Sequence, residues 1–128
     1  MVYGGNADIA DCQFFDNQYG IVIYDRGRCS VQSSQFRQCK SAVKVELGGT
    51  VSVTGSTMTE NGMGVEVEGS ATVKGCRITA NDTGIWVRGR GSFEDNDLSG
   101  NKYSEFRVNT IMRDDVREVR NRGNIVWE

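Results

Sequence analysis

Apolar residues fall into fixed columns when the chain is written in lines of 20 to 22 residues. The lines align on Asn17, Cys39, Asn61, Asn81 and Asn101, at steps of 22, 22, 20 and 20 residues. Eight positions before this anchor stand Ile9, Val31, Val53, Val73 and Phe93, and three before it Phe14, Phe36, Met58, Ile78 and Leu98. Four positions after it come Ile21, Val43, Val65 and Ile85, and six after it Ile23, Val45, Val67 and Val87. Within a line apolar and polar residues alternate: Val51 and Val53 with Ser52 and Thr54, then Val65 and Val67 with Glu66 and Glu68. A period of two is the signature of a half-buried strand. Two strong strands and a third short one around Phe14, Met58 or Ile78 in every line predict an all-β chain. Its strands should pair with their equivalents one coil above and below, as in a parallel β-helix (solenoid) of about five to six coils of 20–22 residues. The crossover preference of parallel strands makes it right-handed.

The recurring asparagine has a physical reason. Asn tolerates left-handed or bridge backbone at a sharp corner, and its amide can donate to and accept from the same amide one coil away. Asn17, Asn61, Asn81 and Asn101 are therefore expected to form an inward ladder, interrupted by Cys39. The two-residue excess of the first two lines falls in Asp25-Arg26-Gly27-Arg28 and Leu47-Gly48-Gly49-Thr50. Insertions thus gather at one corner, the usual seat of function in solenoids. After Asn101 the pattern slips by one residue. Met112, Val116 and Val119 then recur at helical spacing within residues 110–120, which predicts a short helix capping the last open coil. Asn121 and Ile125-Val126-Trp127 read as the anchor and strand of a sixth rung. The expected organisation is β-helix coils over 1–109 and a cap of one short helix and a final strand over 110–128. Because the amino end enters a rung almost at once, the chain is expected to be part of a larger protein.

Composition sharpens this picture. A hydrophobic content of 38%, with 16 glycines and no proline, suits a narrow, repetitive core with tight turns. The formal net charge of -2, with both signs interspersed, supplies no basic patch, so neither nucleic acid nor membrane is an expected partner. Cys12 and Cys76 share a column three coils apart, roughly 14 Å at about 4.8 Å per coil, too far for a disulfide. All four cysteines read as buried small fillers, which suits a reducing compartment and leads us to expect a cytoplasmic protein. The Asn81-Asp82-Thr83 triplet matches a glycosylation acceptor, but Asn81 belongs to the inward anchor column.

The motif Asn-x-x-Gly-Ile-x-Val, with an upstream Val and Cys or Ser at fixed offsets, resembles the parallel β-helix repeat of the pectin-lyase-like superfamily over about residues 5–109. The resemblance implies the fold and leaves function open. That superfamily includes polysaccharide lyases and hydrolases, periplasmic β-helix proteins, and intracellular binding modules of F-box and Shc-binding, spindle-associated proteins. In its free cysteines and short regular coils the chain looks most like the intracellular group.

Outward positions of the second strong strand carry the candidate chemistry. Five after the anchor stand Val22, Lys44, Glu66 and Trp86, and seven after it Tyr24, Glu46, Glu68 and Arg88. Tyr24, Lys44, Glu46, Glu66, Glu68, Trp86 and Arg88 thus share one face, with Trp86 as the expected anchor of an interface. Carboxylates beside bases could do acid–base work, but stacked opposite charges also stabilise a sheet. A second acidic set, Glu94, Asp95 and Asp97, lacks the repeat of a calcium loop. The absence of histidine removes the commonest general base and most zinc sites. The reading is a non-catalytic protein–protein interaction or scaffold module, with no catalytic residue, metal or cofactor, and with a protein partner. A carbohydrate-binding or carbohydrate-active β-helix is the second reading, since aromatics stack on sugars. Self-association through an open coil edge is the third.

Overall fold

The computed structural model describes residues 2–3, 5–109 and 115–127. Among the described residues, seventeen short strands wind into three parallel sheets. The first holds β1 (Val2–Tyr3), β4 (Tyr19–Tyr24), β7 (Ser41–Val45), β10 (Met63–Val67), β13 (Thr83–Val87), β15 (Ser104–Val108) and β17 (Ile125–Trp127). The second holds β2 (Asn6–Ala10), β5 (Arg28–Gln32), β8 (Thr50–Thr54), β11 (Ser70–Lys74), β14 (Arg90–Glu94) and β16 (Val116–Val119). The third holds β3 (Gln13–Phe15), β6 (Gln35–Arg37), β9 (Thr57–Thr59) and β12 (Arg77–Thr79). Each strand pairs with its equivalent in the next coil, Val43 with Val65 and Val65 with Ile85, so the sequence columns become physical stacks. This is the all-β parallel solenoid that the period predicts.

The core is those stacks seen end on. Val31, Val53, Val73 and Phe93 from the second sheet, Met58, Ile78 and Leu98 from the third column, and Val43, Val65, Ile85 and Phe106 from the first sheet are all fully buried. Phe14 and Phe36 stack flat, with ring centroids 4.7 Å apart, the spacing of adjacent rungs. In the fifth coil the larger Phe93 is accommodated by Gly91, where an added Cβ would lie 2.5 Å from that ring.

Both corners flanking the third sheet are built alike. A left-handed residue (Gln38, Glu60 and Ala80 at one corner; Ser33, Gly55, Gly75 and Asp95 at the other) precedes an inward ladder residue. The asparagine therefore does not itself take the left-handed conformation, one of the two expected of it at the corner. The residue ahead of it turns the chain and the amide seals the corner. Asn61 donates its backbone N–H and its Nδ2 to Asn81 Oδ1 at 2.9 and 3.0 Å, and Asn81 does the same to Asn101 Oδ1 at 2.9 and 3.1 Å. The ladder ends at Cys39, whose backbone N–H donates to Asn61 Oδ1 at 2.9 Å. Asn17 is exposed and makes no ladder bond among the described residues. The other corner carries a second ladder of Ser34, Ser56, Cys76 and Asn96, in which backbone N–H groups donate to the Ser56 hydroxyl and the Asn96 Oδ1 one coil up.

The carboxy-terminal rung departs from expectation. Residues 116–119 form β16, paired with β14 from Gly91↔Val116 to Glu94↔Val119, and not a helix. Open backbone donors and acceptors along β14 outweigh a weak helical spacing. Residues 110–114, the first part of the expected helix, lie outside the described residues. Asn121 belongs to the second ladder, accepting from Asn96 Nδ2 at 2.8 Å across 25 residues, and not to the column of Asn101. Arg122 bridges Asp97, and only three residues later Ile125 pairs with Phe106. The last rung thus omits the third strand.

Candidate functional site

The outward face of the first sheet gathers the charged and aromatic residues that its alternation turns away from the core. Register places Val22, Lys44, Glu66, Trp86, Arg107 and Val126 in one column along the solenoid. Tyr24, Glu46, Glu68 and Arg88 follow one corner further on. Adjacent rungs bring side chains of the same column within about 5 Å. Opposite charges on neighbouring rungs therefore meet without large rearrangement.

At the centre lies Arg88. Its guanidinium donates to Glu66 Oε1 at 2.9 Å and to Glu68 Oε1 at 2.8 Å. Its Cζ also stands 4.5 Å over the Trp86 ring, with Arg107 Cζ 5.0 Å from the same ring. Glu66 is only 9% exposed, and its Oε2 accepts from Ser41 Oγ at 3.4 Å. Lys44 pairs with Glu46 at 3.3 Å and lies 5.4 Å over the Tyr19 ring. Burial pulls the Lys44 ammonium down, but the hydrogen bond to Glu46 and the charges of Glu66 and Glu46 outweigh it and hold the group above its ordinary value. Both Glu66 and Glu68 are pinned by one guanidinium, the geometry of a charge network.

The structure thus brings together Lys44, Glu46, Glu66, Glu68, Trp86 and Arg88. Tyr24 is half-buried, and Val22, read as outward, is only 5% exposed. Sequence reading missed Arg107, because the fifth coil slips by one residue, and it missed Tyr19 and Ser41 one column toward the anchor. Those two residues border a groove of about 400 Å³ that continues through Lys40, Lys44, Met63, Glu66 and Asp82. Gly62 stands between Lys40 and Asp82 in that groove, and an added Cβ there would meet the Lys40 carbonyl oxygen at 2.5 Å.

The other chemistry-bearing residues are dispersed. Asp95 binds Arg120 at 2.6 Å, Asp97 accepts from the Ser99 hydroxyl at 2.6 Å, and Glu94 faces Arg117 at 3.7 Å. Among the described residues no three His, Cys, Asp or Glu side chains come together in a way that could hold a metal ion. Cys29, Cys39 and Cys76 are buried, but Cys12 is exposed, against the expectation that all four are core fillers.

Residues 1–126 match the family described as periplasmic copper-binding protein (NosD). No curated protein and no solved structure gives a match. The match supports the β-helix and not the nearer resemblance to intracellular F-box and Shc-binding modules. It also overturns the expected cytoplasmic location, since the family is periplasmic. The inference from free thiols failed because the rung geometry keeps the cysteines apart whatever the redox compartment. With a parallel solenoid over the described residues of that matched span, the chain belongs to the NosD family of periplasmic copper-binding proteins.

Proposed function

We propose that this chain is a non-catalytic scaffold that presents the outward face of its first sheet to a protein partner. One observation carries the reading: Arg88 and Arg107 both stand over the Trp86 ring, while Glu66 and Glu68 fix Arg88 in place. Trp and Arg are the side chains most enriched among residues that dominate binding energy. Here the backbone beneath them is a rigid sheet and their rotamers are already engaged, so association orders few further groups. A sugar-binding reading is less favoured, because the Trp86 ring is covered by guanidinium groups where a sugar would need an open face.

The test compares the wild-type chain with a Trp86→Ala, Arg107→Ala variant, both shown to be folded by circular dichroism, as baits in a periplasmic extract. A partner held by the wild type and bound about thirtyfold more weakly by the variant, the effect of losing one dominant contact, supports the reading. Equal binding by both baits would move the interface off this face, and capture of nothing by either would end the proposal.

A further inference from the structure

We infer that this chain, although a member of a family described as copper-binding, does not itself hold a copper ion. The inference rests on its donor atoms and where the fold places them. It stands apart from the sheet-face reading, since a scaffold could also carry a metal.

Copper is selected by imidazole, thiolate and thioether donors, whereas carboxylates and carbonyls suit harder ions. The chain has no histidine, four cysteines and four methionines, so a Cu(I) centre must be made of sulfur, while a Cu(II) centre of N,O donors would need a carboxylate cluster that the described residues do not form. Two sulfurs share an ion only when they lie within about twice a metal–sulfur bond, roughly 5 Å. Cys12 and Cys76 occupy the same corner column three rungs apart, about 14 Å at the rung spacing. Cys29 sits in the second-sheet stack between Ala7 and Val51, and Cys39 terminates the asparagine ladder at the opposite corner.

Two of the three buried thiols are also committed as donors. Cys76 Sγ donates to the Val53 and Lys74 carbonyls at 3.6 and 3.5 Å, and Cys39 Sγ to the Phe14 and Arg37 carbonyls at 3.6 Å. Ligation requires the thiolate, and burial pushes the Cys29 and Cys76 thiols up, away from it. Met58 is fully buried between Phe36 and Ile78, with no sulfur in its column. Met63 borders the groove described above, but no other sulfur lines that groove to share an ion with it. Met1 and Met112 lie outside the described residues, and the experiment below includes them because it uses the whole chain.

The chain is prepared without a histidine tag, reduced and kept anaerobic, then equilibrated with Cu(I) in the presence of bathocuproine disulfonate as competitor. A parallel sample receives Cu(II) and is read by electron paramagnetic resonance. The expected result is less than about one-tenth of a copper per chain after desalting and an unchanged melting temperature, because an ion that does not bind the native state cannot stabilise it. One copper per chain kept against the competitor, with a raised melting temperature or a protein-bound Cu(II) spectrum, would overturn the inference. Retained copper that disappears in Cys12→Ser, Met63→Leu or Met112→Leu would overturn it too, and would say which sulfur the ion uses.

Discussion

Asn81 shows how much one side chain does in this fold. It is 1% exposed, accepts from both the backbone and the side chain of Asn61, and donates to Asn101 Oδ1 and to the Met58 carbonyl. Replacement by leucine strands at least two buried donors, at about 1–3 kcal/mol each. Asn81→Leu should therefore lower the unfolding free energy by about 2–5 kcal/mol in urea titrations, whereas the exposed Asn17→Leu should change it by less than about 0.5 kcal/mol. The asparagine ladder was legible because the same residue recurs in it. The second column was legible as Cys or Ser at a fixed offset, but not as a ladder, since it mixes Cys12, Ser34, Ser56, Cys76, Asn96 and Asn121, and only the backbone donors join them. The left-handed residue was hidden for a related reason: Gln38, Glu60 and Ala80 share a conformation and no chemistry. Cysteine behaviour follows from placement as well. Ellman's reagent should titrate Cys12 at once and the other three thiols only after denaturation. Their protection should persist near pH 9, because burial holds Cys29 and Cys76 above the ordinary thiol value of 9.0.

Among the elements, β16 is where tertiary context won over local pattern. Val116 and Val119 lie three apart, as in a helix, yet the open edge of β14 recruits them as a strand, tied down by Arg120 on Asp95. Glu118 Oε1 accepts from Asn121 Nδ2 at 2.9 Å and so closes the second ladder. The rung should respond to acid. The hydrogen bond from Arg120 holds the Asp95 carboxyl below its ordinary value of 3.8, and that from the Ser99 hydroxyl does the same for Asp97. A carboxyl depressed in the folded state stabilises it above the unfolded value and loses that contribution as pH falls through the folded value. Hydrogen exchange should thus show β16 losing protection before β10 as pH is lowered below 3.8, while neither changes between about pH 6 and 8. If β10 and β16 opened together, the carboxylates of this rung would not be what holds it.

For the whole molecule, stability is a sum over neighbouring rungs, and the middle of the stack matters most. Val65 lies in β10, fully buried, with Val43 below and Ile85 above. Val65→Asp places an unpaired charge between two rungs, several kcal/mol against a domain with only about 5–15 kcal/mol in hand. Far-UV circular dichroism at 25 °C should show it largely unfolded. Leu47→Ser, at a corner residue 75% exposed, should melt within a few degrees of the wild type. Equal melts for the two variants would contradict the inward and outward assignment of the columns. At this scale the sequence was most informative, because a solenoid repeats each contact and any one coil restates the pattern of the others.

The amino-acid sequence by itself determined the parallel solenoid, its inward columns, and the charged face on which Lys44, Glu66, Trp86 and Arg88 stand. Each of these follows from side-chain alternation and a repeat of 20 to 22 residues, which need no knowledge of distant contacts. Only the tertiary structure decided that Arg88 would bind Glu66 and Glu68 together and that Arg107 would join Trp86 across a slipped register. It also decided that the last rung would be a strand and that Cys12 alone among the thiols would meet solvent. Those outcomes depend on which groups from other coils arrive at the same rung, and one added residue in a turn changes that without disturbing the apolar pattern.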